Sequence, residues 1–385
     1  MDGMMHMGEE AGNGYRRLLP DVVTNRGNHA RIQAAIRKAE DKPVTVAFLG
    51  GSVTTGYNPA GMIEENYGKL FCEYFQNKYS KNNDCICENH GFAAANSLLG
   101  LMIADLYVKN VRPDLVFLEY AINNGMDKIS IASYESLAYK LLGMESRPAV
   151  IPVIVCNEDL YSCSGYMEKI ARHYDLPVVN LYQVIRQGLA QGIMIWGEYS
   201  NDYGHPTSNG HRIIFEGIKQ LFENINNNPD KKDYDTLEAC FSRDFSTVEY
   251  FDHSSMTVEE SGSFHQTDTI SLFPRGWSYQ KGTGNRPMEI NLVCRCLFLI
   301  YEKSNSMEYG AIEILEDDTV ISTIDSYSIY AFNNPDITPV LNEAAARPYR
   351  LKIRMRKGEE GKKFSILGFG IVYSRTEDAG DGQGN

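Results

Sequence analysis

Five residues spread over 150 positions have the types that acyl chemistry uses: Ser52, Gly91, Asn123, Asp202 and His205. A serine hydroxyl attacks a carbonyl only when a base takes its proton, and an imidazole serves when a carboxylate fixes its tautomer. Ser52 stands in VTVAFLGGSVTTG, residues 44–56, where a β-branched and aromatic run ends in two glycines. Asp202 and His205 are three apart in NDYGHP, a Gly- and Pro-containing turn. Such a turn lets the carboxylate fold back onto one ring nitrogen and leaves the other free. Gly91 offers an unobstructed backbone N–H and Asn123 a side-chain amide; with the Ser52 N–H they make three donors for one oxyanion. Each has a plainer reading alone: a glycine turn at Ser52, a helix cap beside an incidental histidine, a turn glycine, an Asx turn at Asn123.

Competing glycine motifs fail. A phosphate-binding P-loop needs Lys after its last glycine, and Tyr57 follows Gly56. The dinucleotide fingerprint is not met. The G-x-S-x-G elbow needs glycine where Thr54 stands.

The elements that must position these residues follow from periodicity. Helical spacing covers 27–40, 62–79, 93–109, 131–145, 164–174, a stretch after Leu181, and 208–224. Strand-like runs cover 43–49, 84–88, 114–122, 148–155 and 176–180, so strands and helices alternate. That pattern predicts a parallel sheet with helices on both faces, a three-layer α/β/α domain. Ser52, Gly91 and Asn123 each fall just past the carboxyl end of an expected strand, where α/β sheets build their sites. A polar stretch at 224–236 reads as a linker. After it, short alternating runs (TVEYF, DTISLF, EINLVCRCLFLIY, GAIEILED, YRLKIRMR, FSILGFGIVYS), broken by a helix-compatible 338–346, predict a β-sandwich or jelly roll. The expected division is a lead-in over 1–26, an α/β domain over 27–228, a β domain over 229–376 and a disordered tail over 377–385.

The 385 residues carry a net charge of −13, with 43% hydrophobic and 23% charged residues. The acidic balance excludes nucleic acid as a partner. No apolar run long enough for a membrane span and no targeting segment are visible, which predicts a cytoplasmic protein. The eight cysteines include the pairs Cys85/Cys87 and Cys294/Cys296; these are read as structural thiols rather than metal ligands or disulfides, and no metal is expected.

Taken jointly, GGS, a glycine in the second block, Asn after a hydrophobic strand, and D-x-x-H near the domain's end resemble the SGNH, or GDSL-type, hydrolases over residues 27–224. The resemblance implies Ser52 as nucleophile, Asp202 as orienting acid, His205 as base, and Ser52, Gly91 and Asn123 as the oxyanion hole, with no cofactor. GGSVT replaces GDS-L, and Asn124 stands where the family often has Asp. With the trailing β domain, the chain looks like the two-domain carbohydrate acetylesterases that act on acetylated manno-oligosaccharides. The implied substrate is an acetylated oligosaccharide. An O-acetyltransferase, a short-chain lipid or thioester hydrolase, and a silent glycan-binding protein are the alternatives. Trp196, Trp277 and His90 are candidate substrate contacts, His211 is structural, and a homo-oligomer is left open.

Overall fold

The structure, a computed structural model, describes residues 14–81, 84–225, 234 and 238–374. The first dozen residues, the tail from 377 and most of the expected linker lie outside the described residues. The chain divides into two compact units, Met1–Arg243 and Asp244–Asn385.

The first unit holds β1 (Val23–Asn25), α1 (Ala30–Ala39), β2 (Val44–Gly50), α2 (Ser52–Thr55), α3 (Tyr67–Tyr79), β3 (Cys85–Asn89) and α4 (Ser97–Ile103). Helix α4 continues through a π-helical stretch, Ala104–Val108, to Lys109–Val111. Then come β4 (Leu115–Glu119), α5 (Lys128–Leu142), β5 (Ala149–Ile154), α6 (Ser164–His173), β6 (Val178–Asn180), α7 (Leu181–Ala190) and α8 (Ser208–Glu223). The six-stranded sheet has the order β1-β6-β5-β4-β2-β3. All neighbours are parallel except β1, which runs antiparallel to β6. Strands β2, β4 and β5 are buried at every residue, as continuous apolar runs covered on both faces require. Side chains fix where helices start: Asn66 accepts from Gly68 and Lys69 N–H, Asn96 from Leu99, and Asp127 from Ile129 and Ser130. That is why α3 and α4 begin later than periodicity alone predicts.

Two boundaries differ from expectation. Residues 14–25 are part of this unit: Tyr15, Leu19 and Val22 are buried, and β1 extends the sheet. The unit also continues past 228, because the Glu135 carboxylate accepts the N–H groups of Cys240 (2.5 Å), Phe241 (2.7 Å) and Ser242 (2.9 Å), together with the Tyr174 hydroxyl (2.7 Å).

The second unit is all β: β7 (Glu249–Phe251), β8 (Phe264–Ile270), β9 (Phe273–Tyr279), β10 (Met288–Lys303), β11 (Ala311–Glu316), β12 (Thr319–Asp325), β13 (Asn334–Met355) and β14 (Ser365–Val372). These form one antiparallel sheet, β12-β11-β13-β10-β14-β9-β8, with β7 also on β14. The jelly roll expected from sequence is thus drawn as a single curled sheet. The curl is set where β10 and β13 break register. Met288–Cys294 pair with 347–353 and Cys296–Lys303 with 334–342, so residues 343–346 bulge out opposite Arg295. Of the helix-compatible stretch 338–346, residues 343–346 are this exposed bulge, while 338–342 belong to the part of β13 that pairs with β10. DTISLF is not one strand either: Ile270 pairs with Phe273, and Ser271–Leu272 make the turn.

Candidate active site

Strand β2 is the switch point of the first sheet: β3 lies on one side of it and β4 on the other, so a crevice opens at its carboxyl end. Ser52 occupies that end as the first residue of α2, a single turn stopped by Gly56 in the left-handed region (φ 83°). The first N–H groups of a helical turn have no intrahelical acceptor, which leaves the Ser52 N–H available. The two preceding glycines are required by close approach. A Cβ on Gly50 would lie 2.0 Å from Thr54 Oγ1, and one on Gly51 would lie 2.1 Å from Asn123 Oδ1.

The Asp202–His205 turn closes as its spacing predicts. Asp202 Oδ1 accepts the N–H of Gly204 (2.9 Å) and His205 (2.7 Å), and Oδ2 lies 2.6 Å from His205 Nδ1. A carboxylate accepts only, so Nδ1 carries the proton and Nε2 is left as the basic nitrogen. Burial pushes the Asp202 carboxyl up, but the His205 N–H and ring and the Gly204 N–H outweigh it and hold the carboxyl below its ordinary range. Trp196 Nε1 donates to the Asp202 carbonyl (2.7 Å), and Ser200 Oγ to the His205 carbonyl (2.8 Å).

Residues just after the nucleophile turn join the two halves. Tyr57, whose N–H donates to the Ser52 carbonyl (3.0 Å), sets its ring edge-on to His205 at 4.9 Å between centroids. Asn58 Nδ2 donates to Asn201 Oδ1 (3.2 Å) and to the carbonyls of His205 (3.4 Å) and Pro206 (3.3 Å). Among the described residues no hydrogen bond joins Ser52 Oγ to the His205 ring. Such bonds commonly tighten only when substrate is present.

The expected oxyanion donors fare differently. The Asn123 side chain lies against Gly51, and its Oδ1 is buried without a partner. Gly91 corrects the sequence reading: its N–H donates to Asn89 Oδ1 (2.9 Å) and is therefore committed in this structure. Asn89 Nδ2 in turn donates to the Thr54 carbonyl (2.8 Å). Position 91 is glycine because a Cβ there would lie 2.7 Å from the Thr55 nitrogen and 2.8 Å from Thr54 Cβ.

Sequence reasoning missed the layer beneath the turn. Glu119, the last residue of β4, is wholly buried; its carbonyl accepts the Gly51 N–H (3.3 Å) and its Oε2 the Thr54 hydroxyl (3.4 Å). Thr54 Oγ1 also lies 2.8 Å from the Tyr67 hydroxyl. Burial, only partly offset by the Ala121, Gly51 and Thr54 donors, raises the Glu119 carboxyl to about 7. A glutamate inside the apolar run LVFLEYAI was the available signal. Asn124 uses both ends of its amide, accepting from Ser97 N–H (2.8 Å) and donating to Ser97 Oγ (2.8 Å) and Tyr166 (3.0 Å). An aspartate there would lack the donor.

The remaining candidates separate. Trp277 is corrected: it lies in strand β9, 1% exposed, in the core of the second unit rather than in a loop. Trp196 is half-buried and braces the Asp202 turn. His90 stacks on Tyr107 at 5.8 Å, its side chain 14% exposed, and burial lowers its pKa. His211 is buried, accepts the Tyr67 N–H (3.4 Å), and is lowered to about 4 by burial, as a structural neutral histidine should be. Among the described residues no group of three or more His, Cys, Asp or Glu is placed to hold a metal ion.

Neither a protein-family model nor a curated protein matches the chain. Solved structures do. A two-domain esterase (CEX) active on acetylated mannans, co-crystallised with mannopentaose, superposes with a TM-score of 0.83 at 20% identity, covering 93% of this chain and 98% of its own. A second structure, of a two-domain esterase (CEX) active on acetylated mannans, gives 0.81 at 20% identity, over 93% and 99%. The chain therefore has the fold of that two-domain esterase, a parallel α/β unit followed by an antiparallel β unit.

Proposed function

We propose that the protein is a serine carbohydrate esterase that removes O-acetyl groups from oligosaccharides, acetylated manno-oligosaccharides foremost, through an acyl-serine intermediate. The observation that carries this reading is the 2.6 Å contact of Asp202 Oδ2 with His205 Nδ1, in a turn tied by Tyr57 and Asn58 to the loop bearing Ser52. The fold shared with an esterase active on acetylated mannans supports the substrate class. In this reading His205 Nε2 takes the Ser52 proton as Oγ attacks the acetyl carbonyl. Asp202 stabilises the imidazolium, and the Ser52 N–H and the Asn123 amide hold the oxyanion. The protonated His205 then releases the sugar hydroxyl, and a water activated by the same nitrogen frees acetate. The Gly91 N–H becomes a third donor only if Asn89 lets it go.

No helix of the described residues is long and apolar enough to cross a membrane, and all eight cysteines are free thiols. Free thiols support a reducing, cytoplasmic setting in which short acetylated oligosaccharides are the substrate. The test follows acetate release by NMR from acetylated manno-, xylo- and gluco-oligosaccharides. The manno series should be turned over fastest, with Ser52→Ala and His205→Ala reduced by at least 10³-fold. Unchanged turnover in Ser52→Ala would refute the assignment.

A further inference from the structure

Strand β3 is an edge strand, and alternation sets Cys85 and Cys87 on the same face. On α3, Gly68, Cys72 and Gln76 recur every fourth residue and share a face. The two rows meet: Cys87 Sγ lies 3.9 Å from the Gly68 carbonyl, and the Cys85 N–H donates to Gln76 Oε1 at 3.3 Å. Cys72 stands between these two points on the α3 face that meets β3, and so faces Cys85 and Cys87. Cys72 is 5% exposed, Cys85 half-buried and Cys87 exposed. A buried thiol thus faces an exposed one that solvent can reach.

We propose that this cluster is a thiol-oxidation site, at which a hydroperoxide oxidises Cys87 and Cys72 then closes a disulfide with it. The roles follow from environment. The neighbouring Cys72 thiol holds the Cys87 thiol below its ordinary value, against burial and the Glu88 and Glu73 carboxylates, and favours the reactive thiolate. The Cys87 thiolate attacks a peroxide oxygen and the O–O bond breaks. With one proton this leaves a sulfenic acid and water. Cys72 sulfur then attacks Cys87 sulfur, the S–O bond breaks, and the departing hydroxide takes the Cys72 proton as a second water. Overall two thiols are oxidised to one disulfide while one hydrogen peroxide is reduced to two waters. The site does not depend on how Ser52 is used.

The test treats the reduced full-length chain with hydrogen peroxide, alkylates it in denaturant and maps the peptides by mass spectrometry. The expected result is loss of two of the eight alkylatable thiols in a Cys72–Cys87 crosslink that dithiothreitol reverses. Cys294 and Cys296, also two apart but both buried, should stay fully alkylatable. Cys87→Ser, an exposed and conservative change, should slow disulfide formation at least tenfold. Cys72→Ala should stall at a dimedone-reactive Cys87; where that variant fails to fold, Cys87→Ser decides. Full alkylation of all eight thiols after peroxide would overturn the proposal, as would oxidation of Cys87→Ser at the parental rate.

Discussion

The Asn89 amide donates to the Thr54 carbonyl at 2.8 Å while its oxygen holds the Gly91 N–H at 2.9 Å. One side chain therefore ties the end of β3 to the turn that presents Ser52 and at the same time occupies an expected oxyanion donor. Asn89→Asp keeps the acceptor but loses the donor and brings a negative charge toward the developing oxyanion. We expect kcat to fall on the order of 10–100-fold with KM little changed, against at most a few-fold for Asn89→Ser. Steady-state kinetics on an acetyl ester decide this; equal kcat in Asn89→Asp and wild type would show that the tie is not used.

Glu119 makes stability pH-dependent. Its carboxyl moves from an ordinary 4.5 to about 7 in the folded protein, so folding favours the neutral form. That stabilisation is fully present below pH 4.5 and is lost as pH rises through about 7. The gap corresponds to about 3 kcal/mol. Glu119→Gln is neutral throughout, so its stability relative to wild type should rise by about that amount between pH 4.5 and 8. Urea unfolding of the first unit at both pH values measures it, and a pH-independent difference would contradict it.

Glu135 closes the first unit by accepting three successive backbone N–H groups from residues 240–242. Removing a buried charged acceptor strands all three donors and the Tyr174 hydroxyl. Glu135→Ala should cost on the order of 3 kcal/mol and expose 238–243 to proteolysis before the rest of the unit opens. Glu135→Gln should recover part of it. Limited proteolysis with N-terminal sequencing of the fragments reads the order of cleavage, and cleavage elsewhere first would count against the clasp.

Much of this was legible in the sequence for physical reasons. A short continuous apolar run such as VTVAFLG, rich in β-branched and aromatic residues and ended by glycine, suits a buried strand, and Asp-x-x-His around glycine folds back on itself. What was not legible depended on side-chain conformation or long-range pairing. Asn89 taking the Gly91 N–H two residues on is an Asx turn, a local preference that competes with leaving that N–H free and that only the folded geometry decides. The Glu343–Ala346 stretch has helical propensity, yet β10 pairs on either side of it and forces a bulge at Arg295. Trp277 follows FPRG, which reads as a turn, but Gly276 allows close approach: a Cβ there would lie 2.2 Å from the Ile366 carbonyl oxygen of β14.

The contact between Gly51 and Asn123 supplies the sharpest test of the proposed oxyanion site. An added Cβ at position 51 would meet Asn123 Oδ1 at 2.1 Å and Cγ at 2.8 Å, both belonging to a side chain that can swing away. Gly51→Ala should therefore fold, because the clash falls on a movable amide and not on backbone, but its Asn123 amide should no longer face the reacting carbonyl. Losing one such donor lowers kcat by roughly 10²–10³-fold. Asn123→Ala should lose the same amount, and the double variant little more, since both changes remove one interaction. If the two losses instead multiplied, the glycine would be serving the Ser52 turn itself, and Asn123 would act by a separate route.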